Sequence, residues 1–218
     1  SLVNPALLDY AKGDCAIYDS AKMTLEEVIA VMAPAAREGK TVVRLHTGDP
    51  CVYGAHREQM DALDRLGLAY EVCPGVSSFC GAAAALKAEY TLPNVSQTVI
   101  LTRMEGRTPV PEKEQIEAFA AHGATMVIFL SAGQLPRLSE RLIAGGYAPD
   151  TPAAIVYKAT WPDEKVVRTT VADLAEAGAR EGITKTALIT VGGFLGDSYE
   201  RSKLYDPAFT TGFREATK

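Results

Sequence analysis

Histidine and tryptophan are scarce in this chain, three and one among 218 residues, and no run of lysine and arginine occurs anywhere. At a net charge of −5 the protein lacks the clustered basic face that nucleic-acid binding needs, so nucleic acid is set aside as a partner. Long apolar stretches are missing too. Residues 126–130 form one of the longest, far short of the roughly 20 residues of a membrane span. The chain does not open with a basic stretch leading into an apolar one, so no export signal is read, and a cytoplasmic protein without membrane contact is expected.

Metal and redox chemistry are also poorly provided for. Cys15, Cys51, Cys73 and Cys80 show neither a CxxC spacing nor a histidine pattern suited to zinc, and are read as reduced thiols buried as small hydrophobes, with no metal. No GxGxxG or GxxxxGK[ST] fingerprint is present, which argues against a dehydrogenase or a nucleoside triphosphatase. There is no GxSxG, and His46, His56 and His122 have no evident nucleophile beside them, so a hydrolase is weakly supported.

What is present is an alternation of strand and helix signals. Residues 41–47 (TVVRLHT) read as a buried strand, 55–66 as a helix stopped by Gly67, 68–72 as a second strand ending at Pro74-Gly75, and 77–88 as another helix. That is the pattern of a parallel α/β layer. The polar segment around 90–97 marks a handover, giving domains 1–95 and 96–218. Beyond it follow strands at 98–103, 125–130, 152–159, 165–170 and 186–192, and helices at 112–122, 136–144 and 171–180. The strands on either side of Trp161 are close enough in sequence to pair antiparallel, so the second sheet is mixed. The tail from 196 onward is polar and expected on the surface.

Open α/β sheets hold ligands at the carboxyl ends of their strands, where residues 46–50 (HTGDP) fall. Gly48 lets a ligand approach the main chain. Asp49 can accept hydrogen bonds from a ribose or amino group and favours a cation, although turn and capping aspartates are common. Tyr53 adds a ring that could equally pack in a core, and Ser77 and Ser78 suit a helix cap whether or not they touch a ligand. Residue patterns alone lead to a ligand-binding α/β protein.

The strings LHTGDPCVYGAHREQM, CPGVSSFCGAAAA, TRMEGRTPVPE, YKATWPDE and TALITVGGFLGDSYERSKLYDPAFTTGFR resemble the precorrin-4 C11-methyltransferase family of tetrapyrrole methylases, over nearly the whole chain. The GDP and PGVSS segments belong to the wider fold; ATWPDE and YERSKLYDPAFTTGFR point to C11. The resemblance implies two α/β domains with a cleft between them, S-adenosylmethionine as cofactor with S-adenosylhomocysteine as product, a tetrapyrrole substrate and a homodimer. It implies cofactor contacts at Thr47, Gly48, Asp49 and Val52, at Ser77 and Ser78, at Leu130 against the adenine, and along the main chain at Ala159 and Ala187. Family members begin with a strand and a Gly-Pro-Gly-Asp loop that are absent ahead of Ser1, so an incomplete first sheet is expected.

Methyl transfer to an electron-rich carbon needs positioning above all, with a base assisting proton loss. His46, Tyr53 and Glu105 are candidates for that base by position only, each with an equally ordinary role as a strand-end, packing or loop residue. The substrate's carboxylates call for cations, and Arg103, Arg107 and Lys158 are chosen, with Met104, Val76 or Phe79 packing on the macrocycle. Alternatives are another methylase of this fold, such as the uroporphyrinogen-III C2/C7 enzyme, and a binding module without turnover.

Overall fold

The computed structural model describes residues 3–217. The chain divides into two compact units, Ser1–Ser78 and Phe79–Lys218.

In the first unit, helix α1 (Leu25–Arg37) starts at a capping box: Glu27 N donates to Thr24 Oγ1 at 3.2 Å, while Thr24 N donates to Glu27 Oε2 at 2.7 Å. No element before residue 41 was expected, although the Thr-x-x-Glu spacing was available as a signal. Val28 and Met32 of α1 pack on Leu63 of helix α2 (Arg57–Arg65), which stops at Gly67 as expected. Among the described residues the expected parallel first sheet is not formed, and 41–47 and 68–72 carry no ladder hydrogen bonds. A strand is held by neighbours at its edges and by side chains packed on its faces; here Val43 is 74% and Val72 51% exposed, so neither segment has the cover a parallel sheet requires. The cysteine reading is corrected for a related reason: all four are free and exposed, three of them in the loops of this thinly covered unit.

The second unit opens with most of helix α3 (Ser78–Leu86). Residues 79–95 are tied into it by Tyr90, whose hydroxyl donates to Phe79 O at 2.7 Å, whose carbonyl accepts from Thr125 Oγ1 at 2.9 Å, and whose ring meets Phe194 edge-on. The mixed sheet is present as expected. Its strands are β1 (Val99–Arg103), β2 (Thr125–Phe129), β3 (Pro152–Tyr157), β4 (Lys165–Thr170) and β5 (Ala187–Val191), in spatial order β1-β2-β5-β3-β4. β1 and β2 are parallel, while β5 lies antiparallel to both β2 and β3, and β3 and β4 flank Trp161 as an antiparallel pair.

Met126, Ile128, Ile155 and Ile189 share one sheet face by register and are fully buried with Ile116 of α4 (Ile116–Ala120), Leu138 and Leu142 of α5 (Leu135–Ala144) and Leu174 of α6 (Leu174–Arg180). Each such side chain contributes about 1.5–3 kcal/mol of apolar burial. The expected helix at 112–122 breaks because Gln115 is extended, leaving a short 3-10 turn (Glu112–Glu114) ahead of α4. The helix expected from 171 begins later because Val171 N and Ala172 N are bonded back to Thr151 O and Pro149 O, both at 2.9 Å. Among the described residues no helix is long and apolar enough to cross a membrane. In the tail, Arg214 gathers the carbonyls of Leu204 and Asp206 at 3.2 and 2.6 Å, leaving Tyr205 and Phe213 exposed.

Candidate active site

Two groups of chemically interesting residues form, one in each unit. In the first unit two turns interlock. Asp49 stands between them, Oδ1 accepting from Cys51 N and Oδ2 from Gly75 N, each at 2.8 Å. The glycines are required by this closeness. A Cβ on Gly75 would lie 2.1 Å from Gly48 O, and Gly48, at φ +58°, has its Cβ position 3.2 Å from Ser77 Cα and Ser78 N. Ser77 is buried and Ser78 opens α3, so the GDP and PGVSS segments make one surface of main chain, with Thr47 exposed and Val52 half-buried beside it. The donors around Asp49 hold its carboxyl down to about 2, the Cys51 hydrogen bonds contributing most and Gly75 N–H adding to them, so it is ionised at neutral pH.

Just after these turns Tyr53 and Ala55 adopt φ of 57° and 47°, uncommon for residues with side chains. A cavity of about 520 Å³ in this unit is lined by Arg44, His46, Thr47, Val52 and Tyr53 among others. Burial lowers the pKa of His46, with Arg44 and His56 adding to the effect, and the His46 and His56 rings meet edge-on at 5.9 Å. The imidazole is thereby favoured in its neutral, proton-accepting form.

In the second unit the register gathers the remaining candidates at one end of the sheet. Arg103 pairs with Phe129, and Tyr157 with Ala187, so Met104, Leu130, Lys158 and Ala187 fall on the same edge. Backbone strain collects there as well: Leu130, Lys158, Thr160 and Thr186 have φ of 52°, 47°, 72° and 55°. Lys158 N donates to Thr186 O at 2.9 Å, and Leu130 is turned out to 62% exposure, a large apolar surface at a strand end.

The loop after β1 is rigidly tied. Arg141 on α5 donates to both oxygens of Glu105 at 2.6 and 2.7 Å and also to Gln115 and Glu117, so one guanidinium holds both ends of the loop. Arg137 adds a bond to Glu105, and Gln134 Nε2 donates to Glu105 O at 3.2 Å. The Arg141 bonds lower the Glu105 carboxyl, leaving an ionised, fully engaged group poorly suited to act as a base.

Arg103 reaches Met104 O and Thr108 O at 3.1 and 3.3 Å and Pro109 O at 2.7 Å, organising the same loop. Met104 is 1% exposed, with its N–H on Ser131 Oγ at 2.9 Å, so its side chain packs inward. Lys158 is paired with Asp163 at 2.6 Å and lies 4.9 Å from the centre of the Trp161 ring. Arg107 alone of the three chosen cations is exposed and free of ion pairs among the described residues. Arg141, Arg137 and Gln134 were not anticipated, because their partners lie about 30 residues away and leave no local pattern.

Residues 1–175 match the family model for tetrapyrrole (corrin/porphyrin) methylases. The chain belongs to the tetrapyrrole methylases. A relative from Methanocaldococcus jannaschii named cobalt-precorrin-4 C(11)-methyltransferase is 54% identical over 219 aligned residues, covering 100% of this chain and 85% of the relative. The X-ray structure of a cobalamin biosynthetic enzyme, cobalt precorrin-4 methyltransferase, superposes with a TM-score of 0.88 at 49% identity, covering 90% of this chain and 82% of that one. A uroporphyrin-III C-methyltransferase from Thermus thermophilus, crystallised with S-adenosylhomocysteine, gives a TM-score of 0.65 at 26% identity, over 78% of this methylase and 74% of the other chain.

Proposed function

We propose that this tetrapyrrole methylase transfers a methyl group from S-adenosylmethionine to C11 of precorrin-4, or of its cobalt-bearing counterpart, in corrin-ring synthesis. The observation that carries the reading is 54% identity along the full chain to a relative of that name, against 26–33% for solved uroporphyrin-III methyltransferases. When bound, the cofactor supplies a methyl group on a cationic sulfur. The first-unit turns suit such a molecule: Gly48 and Gly75 bring bare main chain to one surface, and the ionised Asp49 makes it electronegative. Thr47, Gly48, Val52, Ser77 and Ser78 are assigned to contact the cofactor in the first unit, and Asp49 to the same surface as its ionised member. In the second, exposed Leu130 is assigned to its adenine, and Ala159 and Ala187 to main-chain contacts.

Of the candidate bases, the neutral imidazole of His46 is better fitted to accept a proton than Glu105, and Tyr53 remains a candidate beside it. Arg107 takes the principal role toward the substrate's carboxylates, with Arg103 shaping its loop and Lys158, after β3, at the same end of the sheet. We assign the enzyme to the cytoplasm as a homodimer; four free, exposed thiols suit a reducing compartment. The test is incubation with methyl-labelled S-adenosylmethionine and precorrin-4 or cobalt-precorrin-4, locating the new methyl by NMR. Label at C11 is expected. Methylation of uroporphyrinogen III at C2 and C7 instead would overturn the assignment, and tight S-adenosylhomocysteine binding without turnover on any of these would mark a binding module.

A further inference from the structure

Asp49 is the acid of the GDP turn, and the obvious role for an acid beside a cofactor is direct contact. The geometry points to another role: Asp49 is a positioning residue that locks the 48–51 turn to the 74–78 turn, and it shapes the cofactor surface through Gly75 and Cys51 rather than by touching the ligand. This rests on the cofactor reading above for its functional part, and on the hydrogen bonds and main-chain packing of the two turns for its structural part.

Three observations support it. Both carboxylate oxygens are already engaged within the protein, one on each turn, at 2.8 Å. A carboxylate that has accepted one N–H on each oxygen still has lone pairs, but its orientation is fixed by two main-chain groups, one of them 26 residues away from Asp49 in the sequence. Next, the contact so enforced is main chain on main chain: the Cβ positions of Gly75 and Gly48 come within 2.1 Å and 3.2 Å of the opposing backbone, so no side chain spaces the turns apart. Finally, the 74–78 turn leads directly into α3, and Ser78, its first residue, and Ser77 just before it are the ones Gly48 meets. Whatever fixes Gly75 relative to Gly48 therefore fixes where Ser77 and the Ser78 N–H lie relative to Thr47.

The donors that create the lock also keep its carboxylate charged, so it operates across the whole physiological pH range. Asparagine at this position retains one acceptor oxygen but turns an NH₂ group toward a second N–H, which a direct ligand contact would feel only when ligand is present and the lock would feel in its absence. Gly75→Ala attacks the same interlock from the other side while leaving the carboxylate intact.

The experiment is amide hydrogen exchange of Cys51 and Gly75 in the ligand-free parent and in Asp49→Asn, together with S-adenosylhomocysteine titration of Asp49→Ala, Gly75→Ala and the double variant. The lock predicts exchange at both amides at least about tenfold faster in Asp49→Asn without ligand, as expected for loss of a charge-assisted hydrogen bond. It also predicts that each single variant weakens S-adenosylhomocysteine about ten- to a hundredfold, and that the double variant is scarcely worse than either single one, because both break one device. Unchanged exchange in ligand-free Asp49→Asn, or additive losses in the double variant, would overturn the proposal and return Asp49 to direct contact. If the parent itself bound no S-adenosylhomocysteine, the cofactor reading would fail while the exchange rates still decided the lock.

Discussion

Replacing Arg141 by alanine removes the guanidinium that draws Glu105, Gln115 and Glu117 together, and the cost follows from how dry each contact is. Arg141 is 12% exposed along its side chain, Glu105 22% and Glu117 38%. The Glu117 arm is open enough to rehydrate and is worth about 0–1 kcal/mol, as solvated pairs are. The forked bond to Glu105 is drier, in the range of about 1.5–3 kcal/mol for charged hydrogen bonds, although Arg137 stays behind to compensate part of that carboxylate. A net loss of about 2–3 kcal/mol is expected, which for a chain of this length lowers the melting temperature by about 5–10 °C. Circular-dichroism melting reads it directly. Arg141→Lys should recover less than half, because an ammonium cannot form the paired, planar contacts. The drop should persist in 0.5 M salt, where a solvated pair would be screened to about nothing. A melting temperature within about 1 °C of the parent would refute the reasoning and show that the loop after β1 is held by Arg103 and its carbonyl contacts instead.

Other perturbations test other parts of the structure. His46 has a folded pKa below its free value of 6.5, so it binds fewer protons folded than unfolded; its contribution to stability is whole above 6.5 and is lost as pH falls through the lower folded value. The urea midpoint followed by exchange at first-unit amides should accordingly fall between pH 7.5 and about pH 5, and His46→Gln should flatten that slope. Gly145→Ala would place a Cβ 2.6 Å from Ala120 Cβ and 2.7 Å from Glu117 Cα, forcing α4 and α5 apart at a cost of about 1–3 kcal/mol in denaturant melts. Arg107→Ala should raise the substrate KM about tenfold or more with S-adenosylhomocysteine affinity unchanged, whereas Arg103→Ala should lower stability as well.

Much of the second unit was legible in the sequence because its signals are local. The β-branched run 125–129 and the block 187–191 announce buried strands, and the few residues around Trp161 force β3 and β4 to return on each other. That β5 enters between β2 and β3 was not legible, since a strand carries no mark of its neighbour. The candidate site shows the same division. Segments around Gly48, Ser77, Leu130 and Lys158 could be recognised where they stand, and register then brings the second-unit members to one edge. Glu105 and Arg103 were read as free chemical groups because the residues that occupy them, Arg141 and the carbonyls of the loop, are set by packing rather than by spacing. In the first unit the strand signal at 41–47 was read correctly as apolar and β-branched, yet a strand is completed by its neighbours, and among the described residues 41–47 has none.

The place of β5 in the sheet has a consequence for synthesis. The parallel β1–β2 pair and the β3–β4 hairpin are joined only through a strand made after both of them. While residues up to about 180 have left the ribosome, the chain holds two half-sheets with Met126, Ile128 and Ile155 facing an unfinished core. The late strand acts as a keystone, and nascent chains in which residue 187 has not yet emerged should remain protease-sensitive where those with residues up to 191 clear of the ribosome become resistant.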